Sequence, residues 1–313
     1  MKWKESLFKD FSKLGPLIGL IIMVIFLGFM SDSFFTLDNI FNLLRQISVN
    51  ALIAFGMTFV ILTAGIDLSV GSLLALGSAL TAGLLAGGMD PVLAVLLGLI
   101  IGLGLGAVNG LIITKGKVAP FIATLATMTI YRGATLVYTD GRPITGLSDS
   151  FAFEMIGRGY VFGVPFPVIL MLAVFVILYF VLKKTVFGRQ VYAVGGNEEA
   201  SILSGIKADR VKIGVYSLTG MLSVLAGIIL TSRLNSAQPT AGEMFELDAI
   251  AAVVIGGTSL MGGRGRITGT LIGALIIGVI DNGLNLMNVS SFYQQIVKGG
   301  VILLAVLLDR KSN

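Results

Sequence analysis

The chain has 313 residues, 55% of them hydrophobic and only 12% charged, where soluble domains carry roughly 25%. Its mean hydropathy of +0.95 leaves little to face water. Cysteine and histidine are both absent, which excludes disulfides and Cys-ligated zinc and removes the commonest general base and metal ligand. The net charge of +5 is ascribed to basic cytoplasmic loops of a membrane protein rather than to nucleic-acid binding.

The N-terminus reads Met1-Lys-Trp-Lys and leads into an apolar run, Leu14–Met30. A cleavable signal peptide is the rival reading. Ser31-Asp-Ser33-Phe34-Phe35 is a poor cleavage site, so a retained first helix is expected. Further spans follow at Val49–Gly65, Gly71–Gly87, Pro91–Thr114, Phe121–Tyr138, Pro165–Leu182, Ile213–Leu230, Leu247–Met261, Thr268–Met287 and Gln294–Leu308. Each approaches the length of a helix that crosses about 30 Å of hydrocarbon. The expected fold is therefore an all-α, polytopic membrane protein of about ten helices, forming a single transmembrane domain. The second, third and eighth spans are diluted by Gly, Ser, Thr and Asp. Irregular backbone there requires cover from protein or a water-filled path.

Basic residues orient the chain. With the N-terminus inside, the outer side receives only Arg45, Arg142, Arg158 and Arg233, Arg132 and Lys298 fall within spans, and the rest of the 22 lie inside. That bias places both termini in the cytoplasm of a multi-pass cell-membrane protein. Gly98, Gly102, Gly106 and Gly110 form one smooth helix face, suited to close helix packing or, alternatively, to lining a pore. Asn109-Gly-Leu111 and Asn282-Gly-Leu284 recur near the ends of two oppositely directed spans, as an inverted repeat requires.

The longest cytoplasmic stretch, Lys183–Lys212, holds Gly195-Gly-Asn-Glu-Glu-Ala-Ser-Ile-Leu-Ser-Gly205. Asn197 is a good N-cap, Glu198 and Glu199 suit a first turn, and Gly205 suits the residue after a helix. About two turns of helix are not stable alone, so the protein or a partner must hold them. A solvated connector is the plain reading, and a docking element for a cytosolic partner the sharper one.

With these segments in view, the chain resembles the permease subunits of sugar-importing ABC transporters. The resemblance rests on Ala64-Gly-Ile-Asp-Leu-Ser-Val-Gly-Ser72, Lys117-Val-Ala-Pro-Phe-Ile-Ala-Thr-Leu125 and Gly195-Gly-Asn-Glu-Glu199. It continues through Ser236-Ala-Gln-Pro-Thr-Ala-Gly242, Glu246-Leu-Asp-Ala-Ile-Ala-Ala252, Gly256-Gly-Thr-Ser259, Asp281-Asn-Gly-Leu-Asn-Leu286 and Tyr293-Gln294. The long match over Ser236–Leu308 favours ribose as the sugar. The resemblance implies an inverted repeat of helices two to five and seven to ten. It also implies a homodimer that works with a cytosolic ATPase and an extracytoplasmic sugar-binding protein. The coupling helix then falls on Asn197, Glu198, Glu199, Ala200, Ser201, Ser204 and Gly205.

The chain has no Walker A motif: Gly116-Lys117 is followed by Val118, and Leu111 occupies the leading glycine position. ATP hydrolysis is expected on a separate chain, with neither cofactor nor catalytic residue here. Gly104-Leu-Gly106 lies inside a span with no strand before it, against dinucleotide binding. Ionisable groups at membrane depth are functional candidates by default, and here they are Arg132, Asp281 and Lys298, with Asp67 and Asp248 near breaks. A structural pair or snorkelling is the plain reading for Arg132 and Lys298. A buried acidic cluster such as proton-coupled carriers use is not expected. A neutral pentose calls for hydroxyl-matching groups, for which Asn50, Thr63, Asp67, Ser72, Asn109, Thr258, Asn282 and Gln294 are the candidates. A stand-alone secondary sugar carrier is the alternative, for which the chain is short.

Overall fold

The computed structural model describes residues 2–147 and 150–312, and side chains over 15–147, 150–301 and at 303, 304 and 307. In chain order the helices begin with α1 (Lys2–Met30), α2 (Leu37–Leu62), α3 (Val70–Ala86), α4 (Pro91–Thr114), α5 (Pro120–Thr139) and the short α6 (Phe151–Arg158). A small hairpin follows, β1 (Tyr160–Val161) and β2 (Val164–Pro165). Next come α7 (Phe166–Lys184), α8 (Val186–Gly196), α9 (Glu198–Leu203), α10 (Ala208–Leu234), α11 (Phe245–Ile255), α12 (Ile267–Leu286) and α13 (Ser291–Ser312). Ten of these answer the ten expected spans. Among the described residues, five of these helices (α2, α4, α7, α10 and α12) are long and apolar enough to cross a bilayer.

Local sequence sets several ends. The Asp90 carboxylate accepts from Leu93 N at 3.0 Å with Pro91 in the first turn, the fixed φ of proline being pre-set for a helix start. Pro120 opens α5 in the same way. The expected eighth span needs correction. α11 has 11 residues, about 16 Å of rise, half of a bilayer core. It stops at Gly256-Gly257, where Gly257 takes φ +82°, and irregular chain leads from there to α12.

α2 and α10 form the centre and pack on each other. α4 lies on α10 as α12 lies on α2. α3 packs on α4, α5 and α10, whereas α11 packs on α12, α13 and α2. Exchanging α2–α5 with α10–α13 reproduces the arrangement, the pattern of an inverted repeat. The glycine stripe of α4 serves the α4–α10 contact. A Cβ at Gly106 would meet the Tyr216 carbonyl, one at Gly110 would meet the Ile213 Cα, and Gly102 and Gly220 face each other's carbonyls. The packing reading of that stripe holds.

One face of the protein gathers the ends of α2 and α4, the α8–α9 stretch and the α11–α12 loop. Lys115 just after α4 pairs with Asp209 at the start of α10 at 2.7 Å. The opposite face gathers Arg45 near the start of α2, Tyr160 of the hairpin, and α6, whose Gly157 N donates to Ser232 Oγ near the end of α10 at 3.0 Å.

Candidate functional site

The short helix α9 forms as its residues dictate. Asn197 is extended at φ −161°, ends α8 and caps α9, its Oδ1 accepting from Ala200 N at 2.9 Å. Ser201 Oγ and Ser204 Oγ each donate to a carbonyl one turn back, at 2.8 Å. Gly205 takes φ +85° and reverses the chain. Glu198, in the first turn, holds Lys212 of α10 at 2.6 Å, and Glu199 is exposed. Two residues escaped the sequence reading: Ile202 and Leu203, 54% and 88% exposed. Their signal was an apolar pair inside a helix too short to bury them. α8 was missed as well, because its sequence reads as part of one long polar loop.

α8 ties this helix to the membrane core. Gly195 packs with no room for a side chain against the Leu62 carbonyl and Gly263 N. Gly263 N also donates to Leu62 O at 2.9 Å. Tyr192 OH donates to Gly265 O at 2.9 Å. Burial pushes that phenol's pKa up while Arg266 pulls it down, so it remains a neutral donor. The end of α2, the end of α8 and the α11–α12 loop therefore meet directly above α9.

Three of the polar candidates come together. Asp67 Oδ1 accepts from Ser69 N at 2.9 Å and Ser69 Oγ at 2.6 Å. Asn109 Nδ2 donates to Ser69 Oγ at 2.7 Å, and Tyr131 OH donates to Asn109 Oδ1 at 3.3 Å. Ser72 joins through Ser69 O at 2.9 Å. This network closes the break between α2 and α3, and both Asp67 and Asn109 are fully buried. The other candidates lie elsewhere. Thr63 bonds back to Val60 O at 2.8 Å, and Asn282 exchanges hydrogen bonds with Asn39 at 2.8 and 3.1 Å. Gln294 donates to Asn285 Oδ1 and Val289 O, both at 2.9 Å. One side-chain oxygen each of Asn50, Asp67 and Thr258 is buried without a hydrogen-bond partner, at a cost of about 1–3 kcal/mol apiece.

The expectation of no buried acidic cluster is corrected. Lys298 Nζ on α13 bridges Asp248 Oδ2 of α11 at 2.9 Å and Asp281 Oδ2 of α12 at 3.0 Å. A single ammonium between two carboxylates is the kind of pairing that lets charge sit at membrane depth. Asp248 and Lys298 open onto a pocket of about 230 Å³ between α11 and α13, also lined by Glu243, Ser291 and Gln294. Nearby, Arg132 of α5 donates to Pro239 O at 2.6 Å and Ala241 O at 2.9 Å, with Glu243 and Glu246 in electrostatic reach. It pins the irregular segment between α10 and α11, satisfying carbonyls that no helix satisfies. Among the described residues, no three acidic side chains converge as a metal site would need.

Residues 39–306 match the family described as the permease component of branched-chain amino acid transport systems. The ribose import permease protein RbsC of Bacillus subtilis is 67% identical over 96% of this chain and 94% of that protein. The ribose import permease protein of Escherichia coli K12 is 55% identical, covering 95% and 93%. The D-allose transport system permease protein of the same bacterium is 45% identical, covering 97% and 93%. No solved structure matches the chain significantly. This multi-pass membrane chain belongs to the branched-chain amino acid transport system permease family.

Proposed function

We propose that this protein is the membrane-spanning permease subunit of an ATP-driven importer for ribose. The observation that carries the reading is near-full-length identity to ribose import permeases, higher than to the D-allose permease. The geometry of α9 supports the ATP-driven part: a capped, apolar-tipped helix presents Ile202 and Leu203 to a partner. Behind it, α8 abuts the ends of α2 and the α11–α12 loop, so a push on α9 reaches both halves of the repeat. The partners of this reading are a second copy of the chain, a cytosolic ATPase and an extracytoplasmic sugar-binding protein. Both termini face the cytoplasm, as the basic residues argue.

The sugar path in this reading follows the α11–α13 face, where Gln294, Ser291, Glu243 and Asp248 offer donors and acceptors matched to hydroxyls. Asn50 and Thr258 contribute as the helices part, each having an oxygen free of a protein partner. Asp67, Ser72 and Asn109 brace the break before α3, and Thr63 and Asn282 brace helix ends.

Co-purification tests the reading: the ATPase should be recovered with this chain. Changing Glu198→Lys together with Glu199→Lys should abolish that recovery and leave the permease folded, because a cation then faces Lys212 and the rim of the docking surface reverses sign. An intact complex with normal ribose transport after that change would count against α9 as the coupling helix. The Asp248–Asp281 pair is what a proton-driven carrier would also display, and uptake by this chain alone under a proton gradient would favour that class.

A further inference from the structure

A second pocket, of about 490 Å³, lies at the cytoplasmic end of α7, between α7, α8 and the start of α12. Lys183, Arg189 and Arg266 line it with Tyr179, Tyr192 and Thr268, and no carboxylate is in its wall. The positive charge is uncompensated. Among the described residues, the Arg189 and Arg266 guanidiniums have no salt-bridge partner, and Lys183 has only the neutral Tyr179 hydroxyl, at 2.7 Å. The phenol walls are fixed, Tyr192 by its bond to Gly265 O and Tyr179 beneath the Lys183 ammonium, 5.1 Å from the ring centre. Thr268 lies in the first turn of α12, a helix with no side-chain cap, which adds to the positive potential there.

The position specifies the ligand. Lys183 and Lys184 end an apolar span, which puts the pocket at headgroup depth. Toward the bilayer centre from Lys183, α7 exposes Val176, Ile177 and Phe180, an apolar surface for acyl chains. Only 28% of the apolar window of α7 is covered by protein. Basic pockets between membrane helices at this depth bind anionic headgroups. We infer that the pocket walled by Lys183, Arg189 and Arg266 binds the phosphodiester headgroup of an anionic phospholipid, whose chains lie along α7. Because α8 forms one wall and leads into α9, the lipid holds the base of the coupling helix at the membrane surface.

The test uses the complete transporter, with its ATPase, in nanodiscs of phosphatidylcholine containing a photoactivatable phosphatidylglycerol. Cross-links should concentrate at the end of α7, in α8 and around Arg266. Excess phosphatidylglycerol should compete, and neither phosphatidylcholine nor inorganic phosphate should. Neutralising Lys183→Gln, Arg189→Gln and Arg266→Gln together should weaken capture about a hundredfold, at roughly fivefold per cation. Arg189→Gln alone, at an exposed position, should give the fivefold step if the triple variant folds poorly. Labelling spread evenly over the lipid-facing helices would overturn the proposal. So would competition by inorganic phosphate equal to that by lipid, which would make the pocket a free-anion site. Loss of the ATPase from the triple variant with labelling unchanged would also overturn it, and would assign the cations to protein docking.

Discussion

The two halves of the repeat share a packing plan and differ in what they bury. In the first, Asp67, Ser69, Asn109 and Tyr131 form a hydrogen-bonded network that includes one carboxylate and no cation, sealed from solvent. In the second, Asp248, Asp281 and Lys298 form an ion triad. The Lys298 side chain retains 23% of its exposure and lines a pocket. Packing alone needs only the first kind. A buried ion pair often stabilises no more than apolar residues of the same volume would, so the charge in the second half calls for a functional explanation. The contrast leaves the repeat with one half sealed by a hydrogen-bonded network and one half whose ion triad reaches a pocket.

Five variants would break or sharpen this contrast. Lys298→Leu strands two buried carboxylates and should cost about 3–5 kcal/mol, read as a lowered midpoint of thermal unfolding. Replacing Asp248, Asp281 and Lys298 together by apolar residues of similar size should restore most of that stability and still abolish transport. Gly106→Leu forces α4 from α10 and should cost about 1–3 kcal/mol, leaving little protein that survives detergent extraction. Asn109→Ala should lose about 1–3 kcal/mol, while the folded fraction transports with unchanged KM, because that half braces. Gln294→Ala should cost only about 1 kcal/mol and raise KM for transport several-fold, because it lines the pocket.

The lipid-facing helices were legible in the sequence because lipid, unlike water, lets an apolar run stand exposed. Only 22% of the apolar window of α4 is buried in protein, against 83% for α2. The central helix α2 therefore reads as the weaker span, as small and polar residues such as Gly56, Thr58 and Asn50 are what close helix contacts use. α9 was legible from Asn197 to Gly205, because cap, first-turn acids and terminating glycine are local signals. α11 was overextended to Met261, since Val253, Val254 and Ile255 run on into a glycine pair without a charge to mark the end. The ion triad was not legible. Asp248 and Lys298 are 50 residues apart, and no local pattern shows that α11, α12 and α13 turn those groups toward one point. The cationic pocket was hidden for the same reason, being assembled from three helices.

Ribose uptake into proteoliposomes containing this chain, the ATPase and external binding protein tests the central claim most directly. Labelled ribose should accumulate with ATP inside and stop without it, whether or not a proton gradient is present. Steady ATP hydrolysis with no ribose entry, or uptake that follows the proton gradient and ignores ATP, would contradict it.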